Sequence, residues 1–108
     1  MPPNANIKRI KRGVCAPRGF VASAVSAGIK NPGDPRLDLA LIYSKHPCSA
    51  AGTFTTNRVK AAPVKVSQAY LKADKVQAIV ANSGNANACT GVEGISDARK
   101  TCKLVAKE

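Results

Sequence analysis

The chain has no tryptophan, two phenylalanines and two tyrosines in 108 residues. Its apolar share of 44% is therefore made largely of small side chains: 18 are alanine, against 23 Val, Ile, Leu and Phe together. Burial stabilises in proportion to the apolar area removed from water, roughly 25 cal/mol per Å², so an alanine-heavy set supplies little per residue. Such a core is thin for a chain that, as a free-standing domain, would bury roughly 60–68% of its unfolded surface. A marginal single domain is one reading. The other is a segment whose apolar faces expect more protein.

Other absences are as informative. No apolar stretch nears the ~20 residues a membrane helix needs, and no apolar stretch follows the charged N-terminus as in a secretory signal. The four cysteines, Cys15, Cys48, Cys89 and Cys102, form no C-x-x-C pair. Zinc would need closely paired ligands; His46 and Cys48 flank Pro47 with no second pair nearby, so no metal site is expected. Free thiols in a reducing cytosol are the default.

Acidic residues are also scarce, 6 against 17 Lys and Arg, for a net charge of +11. A balance of this kind fits either a solvated surface or a polyanion partner. Lys8, Arg9, Lys11 and Arg12 cluster in a leader, residues 1–12, that is expected to be disordered, while the remaining bases are scattered. Phe20, Tyr43, Phe54 and Tyr70 do not interleave with bases as a single-strand stacking platform requires. Nucleic acid is thus not the expected partner. A small basic binding protein, nucleic-acid associated, remains the alternative reading.

Phe20–Lys30 (FVASAVSAGIK) alternates small and apolar residues, which suits a strand interrupted at Gly28. Asn31–Pro35 (NPGDP) is a turn. Leu37–Ser44 (LDLALIYS) reads as a strand whose apolar run Leu39–Tyr43 predicts burial on both faces. Pro47 marks a break. The threonine-rich Ala50–Asn57 predicts another strand, and Pro63 limits any strand after it to an edge or a short piece. Ser67 would cap a short helix ending near Asp74, and Val76–Gly84 reads as a strand. A last helix is predicted with Ser96 as N-cap. Its apolar stripe is Ile95, Ala98, Cys102 and Val105, and Arg99, Lys100, Lys103 and Lys107 lie opposite. The order indicates an α+β class, a mixed sheet with flanking helices.

Asn82–Gly91 (NSGNANACTG) joins the last strand to the last helix. Asn, Ser and Gly tolerate left-handed backbone and offer amides to backbone groups, so a tight turn fixed by asparagine side chains is the plainer reading. Amides near a helix start can also hold a carboxylate or phosphate. The segment is neither G-x-x-x-x-G-K-[ST] nor G-x-G-x-x-G.

That segment resembles one found in ornithine acetyltransferases, the bifunctional glutamate N-acetyltransferases of arginine biosynthesis. APRGF (16–20), AGIK (27–30), LDLALIYS (37–44) and AAGTFTTNRVKAAPV (50–64) resemble further family segments in the same order. The resemblance covers residues 13–108. It implies the N-terminal part of an αββα sandwich, incomplete here, in a cytoplasmic enzyme. It also implies an acyl transfer: a threonine, freed as a new N-terminus by self-cleavage, takes acetyl from N-acetylornithine and passes it to glutamate. Its own α-amino group would serve as base. A Thr-Gly pair within a Ser-Thr-Gly run would stabilise the oxyanion. No metal or organic cofactor takes part.

In the family both the Ser-Thr-Gly run and the nucleophilic threonine follow the position matching Glu108. Thr90-Gly91 belongs to the NSGNANACTG segment and does not inherit the oxyanion role. No catalytic residue is therefore assigned in this chain, and its substrate-binding residues stay unknown. The expectation is an N-terminal fragment, inactive alone. Its partners would be the remainder of the same polypeptide and its self-cleaved C-terminal subunit, with N-acetylornithine and glutamate as substrates of the whole.

Overall fold

A computed structural model describes residues 7–73 and 75–108. A 3-10 turn at Gly13–Cys15 leads into β1 (Phe20–Val25), followed by β2 (Leu39–Cys48), α1 (Ala62–Tyr70), β3 (Val76–Asn82) and α2 (Gly91–Val105). The strands form one sheet in the order β1-β2-β3, and both pairings are antiparallel. The α+β class follows, with α1 in the connection between β2 and β3.

Register decides which residues share a face. Leu41 lies between Ser23 and Val80, and Ile42 between Ala22 and Ile79. Since directly paired residues point the same way and neighbours along a strand alternate, one face presents Val25, Leu39, Leu41 and Val80. The other presents Ala22, Ala24, Ala40, Ile42, Ile79 and Ala81. Leu39 and Val80 line a cleft shared with α1 and α2, so the first face is the one the helices approach. The second is open: Ile79 is 62% exposed, and Ala22, Ala24 and Ala81 are exposed. The apolar run of β2 is thus fully buried on neither side: Leu39, Ala40, Leu41 and Ile42 are all half-buried, and Val25 on the helix-facing side is 51% exposed.

The centre of packing is small. Ala62 and Val66, both on α1, are the buried apolar residues. Accessible surface totals 9122 Å², against about 5,700 Å² for a compact monomer of this size. The radius of gyration, 16.3 Å, exceeds the ~13 Å of a compact domain of about 100 residues.

Four local expectations change. Pro47 does not end β2, which runs on to Cys48 with its register to β3 shifted between Tyr43 and Cys48; an irregularity is where a strand accommodates a residue without N–H. Ala50–Asn57 forms no strand. Its polar side chains bond the nearby backbone instead, Thr55 Oγ1 accepting from Asn57 N–H at 3.1 Å and Asn57 Oδ1 from Val59 N–H at 2.9 Å, the local competition that turns threonine and asparagine away from ladders. Helix α1 begins at Ala62 rather than Ser67, with Pro63 in its first turn, where a missing N–H costs nothing. Helix α2 begins at Gly91, five residues before Ser96. Its expected stripe, Ile95, Ala98, Cys102 and Val105, is half-buried, and Arg99, Lys100 and Lys103 are exposed. Of the leader, residues 7–12 are exposed; its first six residues, and Asp74 at the expected end of α1, lie outside the described residues.

Candidate functional site

The loop 83–90 is a junction to which every layer is tied. From the sheet, Ser83 N–H donates to the Asp38 carbonyl at 2.9 Å. From α1, Ala62 N–H donates to the Asn87 carbonyl at 3.3 Å. From α2, the Gly94 carbonyl accepts from Asn87 Nδ2 at 2.8 Å, and the Thr90 hydroxyl donates to Asn87 Oδ1. One half-buried asparagine therefore links the loop, the start of α2 and, through its backbone carbonyl, α1. These bonds occupy both ends of the Asn87 amide.

Two glycines stand where a side chain would not fit. A Cβ on Gly84 (φ +99°) would lie 2.9 Å from the Lys30 Cβ. One on Gly94, which is buried, would collide with the Thr90 hydroxyl and the Asn87 amide oxygen. Cys89, at φ 56°, adopts the left-handed region without being glycine.

Asp38 is the second hub, and the sequence reading passed over it as part of a strand. Its carboxylate accepts from Ala27 N–H at 2.6 Å and Ile29 N–H at 2.8 Å. These two bonds, the Ala27 one foremost, hold its pKa below the ordinary carboxylate value, because they favour the charged form. Asp34 is likewise lowered, chiefly by the Arg36 guanidinium 2.6 Å away. The one signal for Asp38 was an acid immediately before an unbroken apolar run, following a turn.

Between the helices and the sheet lies a cleft of about 630 Å³. Leu39, Val66 and Val80 give it an apolar floor; Asn82, Asn85, Thr90, Glu93 and Asp97 are among its polar lining. No Lys, Arg or His lines it. Such a lining can hold a small polar molecule by hydrogen bonds, but it sets no hydroxyl or thiol beside a neutral nitrogen base, the usual requirement for an activated nucleophile. Thr90 is engaged with Asn87 and Gly91 opens α2, so the pair serves the helix start. Among the described residues no three of His, Cys, Asp or Glu gather where they could hold a metal ion. All four cysteines are free, and only Cys89 is exposed. No helix in the described residues is long and apolar enough to cross a membrane.

The segments that carry the family resemblance meet at this place. Ala27 and Ile29 of AGIK bind Asp38 of LDLALIYS; Asp38 binds Ser83 and Ala62 binds Asn87 of NSGNANACTG. APRGF sits at the opposite end of the hairpin, where Lys45 N–H donates to the Gly19 carbonyl at 2.9 Å.

Residues 21–108 match the model of the ArgJ family. The chain belongs to the ArgJ family. It is 52% identical over 95 residues to the arginine biosynthesis bifunctional protein ArgJ of Symbiobacterium thermophilum, covering 88% of this chain and 24% of that protein. With ArgJ of Caldanaerobacter subterraneus subsp. tengcongensis identity is 57% over 91 residues, covering 84% and 22%. The chain thus spans about a quarter of the length of these curated relatives. Two solved structures share the fold. The crystal structure of ArgJ from Bacillus halodurans superposes with a TM-score of 0.76 at 41% identity, over 83% of this chain and 46% of that one. Ornithine acetyltransferase from Mycobacterium tuberculosis, complexed with ornithine, superposes with a TM-score of 0.75 at 50% identity, over 82% and 46%.

Proposed function

We propose that residues 13–108 are the N-terminal portion of an enzyme that moves an acetyl group from N-acetylornithine to glutamate in arginine biosynthesis, through an acyl-threonine intermediate. Residues 1–12 are a basic leader outside that portion. The observation that carries the reading is the match of residues 21–108 to the ArgJ family, supported by the superposition on an ornithine acetyltransferase at 50% identity. Each relative reported above is an arginine-biosynthesis enzyme or an ornithine acetyltransferase, which favours this over a small basic binding protein.

The division of labour follows from the site. In this chain the Thr90 hydroxyl of the signature loop is committed to Asn87, and no Lys, Arg or His lines the cleft beside it. The chain's part is to position. Asn87 fixes α2, Asp38 fixes the two loops at the same sheet edge, and the open sheet face, with Ile42 and Ile79 at its centre, is an apolar surface for the rest of the family polypeptide to cover. The nucleophilic threonine, its amine and the oxyanion donors belong to that rest, which includes the self-cleaved C-terminal subunit. The enzyme works in the cytoplasm.

The purified 108-residue chain is accordingly expected to transfer no acetyl from N-acetylornithine to glutamate. Turnover above the uncatalysed rate, proportional to chain concentration and lost on Thr90→Ala, would show that a catalytic hydroxyl lies within it and would refute the proposed division.

A further inference from the structure

The first residue of β1, the loop before it and the end of the 3-10 turn enclose a second cleft, of about 430 Å³, at the opposite end of the hairpin from Asp38. Its lining includes Arg12, Arg18 and Lys45, together with Cys15 and Phe20, and no acidic residue. Among the described residues the one ion pair joins Asp34 to Arg36, so none of these three pairs with a described carboxylate. Distance prevents it for the hairpin's own acids. Phe20 pairs with Ser44 and Val25 with Leu39, which sets Asp38 six residue steps from Ser44 beside the cleft, about 20 Å at ~3.3 Å per residue. That is about two and a half screening lengths at physiological salt. Glu93 and Asp97 line the other cleft. Three cations around one concavity repel one another unless an anion sits among them, and guanidinium groups recognise phosphate through paired N–H donors.

We propose that Arg12, Arg18 and Lys45 form a binding site for a small, multiply charged phosphate-bearing anion. The site is separate from the loop-and-helix cleft and does not rest on the proposed acetyl transfer. A charge of three suits a group that is itself di- or trivalent at neutral pH, and the cleft volume accommodates more than one phosphoryl group.

Equilibrium dialysis of labelled pyrophosphate against the 108-residue chain tests this whatever the chain's state of association. Saturable binding is expected, weakening as salt rises. Arg18→Gln and Lys45→Gln should each weaken it roughly tenfold, the scale of one charge-assisted hydrogen bond. Lys65→Gln and Lys103→Gln, on the helices, should leave it unchanged. Inorganic phosphate competing as well as pyrophosphate identifies a single phosphoryl group as the ligand; pyrophosphate competing better identifies a diphosphate. No saturable binding, or equal weakening by the helix and cleft substitutions, would overturn the site. Duplex DNA displacing pyrophosphate at lower phosphate concentration than pyrophosphate itself would overturn its assignment to a small anion.

Discussion

Replacing Gly94 by alanine separates the structure from helix propensity, because the two predict opposite signs. In an exposed helix interior, glycine to alanine stabilises by about 1 kcal/mol. At Gly94 the added methyl would collide with the Thr90 hydroxyl and the Asn87 amide oxygen, and would stand 2.5 Å from the Thr90 Cβ. Inserting a methyl into a filled space costs typically 1–3 kcal/mol. If Asn87 moves away to make room, its 2.8 Å bond to the Gly94 carbonyl is lost too, about 1 kcal/mol more. Subtracting the propensity gain leaves a net destabilisation of about 1–3 kcal/mol. Urea unfolding, followed by circular dichroism at matched concentration, measures it through the midpoint at constant slope. Thr90→Ala in the same background removes the hydroxyl that the new Cβ meets first, so the double variant should lose less than the two single changes summed. A Gly94→Ala variant as stable as the parent, or more so, would refute the packing of this junction.

The remaining outcomes concern charge and exposed surface. Asp38 and Asp34 both have lowered pKa values in the fold, so their contribution to stability is complete above the unfolded value of about 3.8 and is lost as pH falls through the lower folded values. Stability should therefore drop below about pH 4, and Asp38→Asn should flatten that drop, monitored by thermal melts between pH 2 and 6 (conditions bracketing the ordinary carboxylate pKa, roughly 4). An unchanged acid profile in Asp38→Asn would show that the carboxylate does not hold the Ala27 and Ile29 amides. The open sheet face should make the isolated chain self-associate, since contiguous exposed apolar surface of this kind does so. Ile79→Lys should reduce that association in sedimentation while changing intrinsic stability by no more than about 0.5 kcal/mol. A parent chain that sediments as a monodisperse monomer would contradict the reading of that face.

Much of this was legible in the sequence, and the failures share a cause. The cores of β1, β2 and β3 were plain because β-branched and aliphatic residues recur there between strong turns. The stripe of α2 was plain because Ile95, Ala98, Cys102 and Val105 repeat at helical spacing. What escaped depends on a partner distant in sequence. Pro63 looks like a strand limiter until α1 is seen to begin one residue before it. Gly91 and Gly94 look like loop residues until Asn87 and Thr90 are seen holding the first turn of α2. The threonines at 53, 55 and 56 favour a strand locally, but a strand needs a ladder partner, and their neighbours turn the backbone elsewhere. The signature loop read correctly as a turn fixed by asparagine; that Asp38 would anchor the same corner could not be read from its immediate neighbours.

The central claim is that residues 21–108 build the N-terminal part of an ArgJ enzyme, and an exchange tests it most directly. The matching segment of the Mycobacterium tuberculosis ornithine acetyltransferase would be replaced by residues 21–108 of this chain, and acetyl transfer from N-acetylornithine to glutamate assayed beside the parent enzyme. At 50% identity and a TM-score of 0.75, the exchanged segment should restore the same junction and the same sheet face. The chimera is expected to retain transfer within about tenfold of the parent, a loss of no more than about 1.4 kcal/mol in transition-state stabilisation. A chimera that folds with the parent's secondary structure and thermal transition yet transfers no acetyl would contradict the claim.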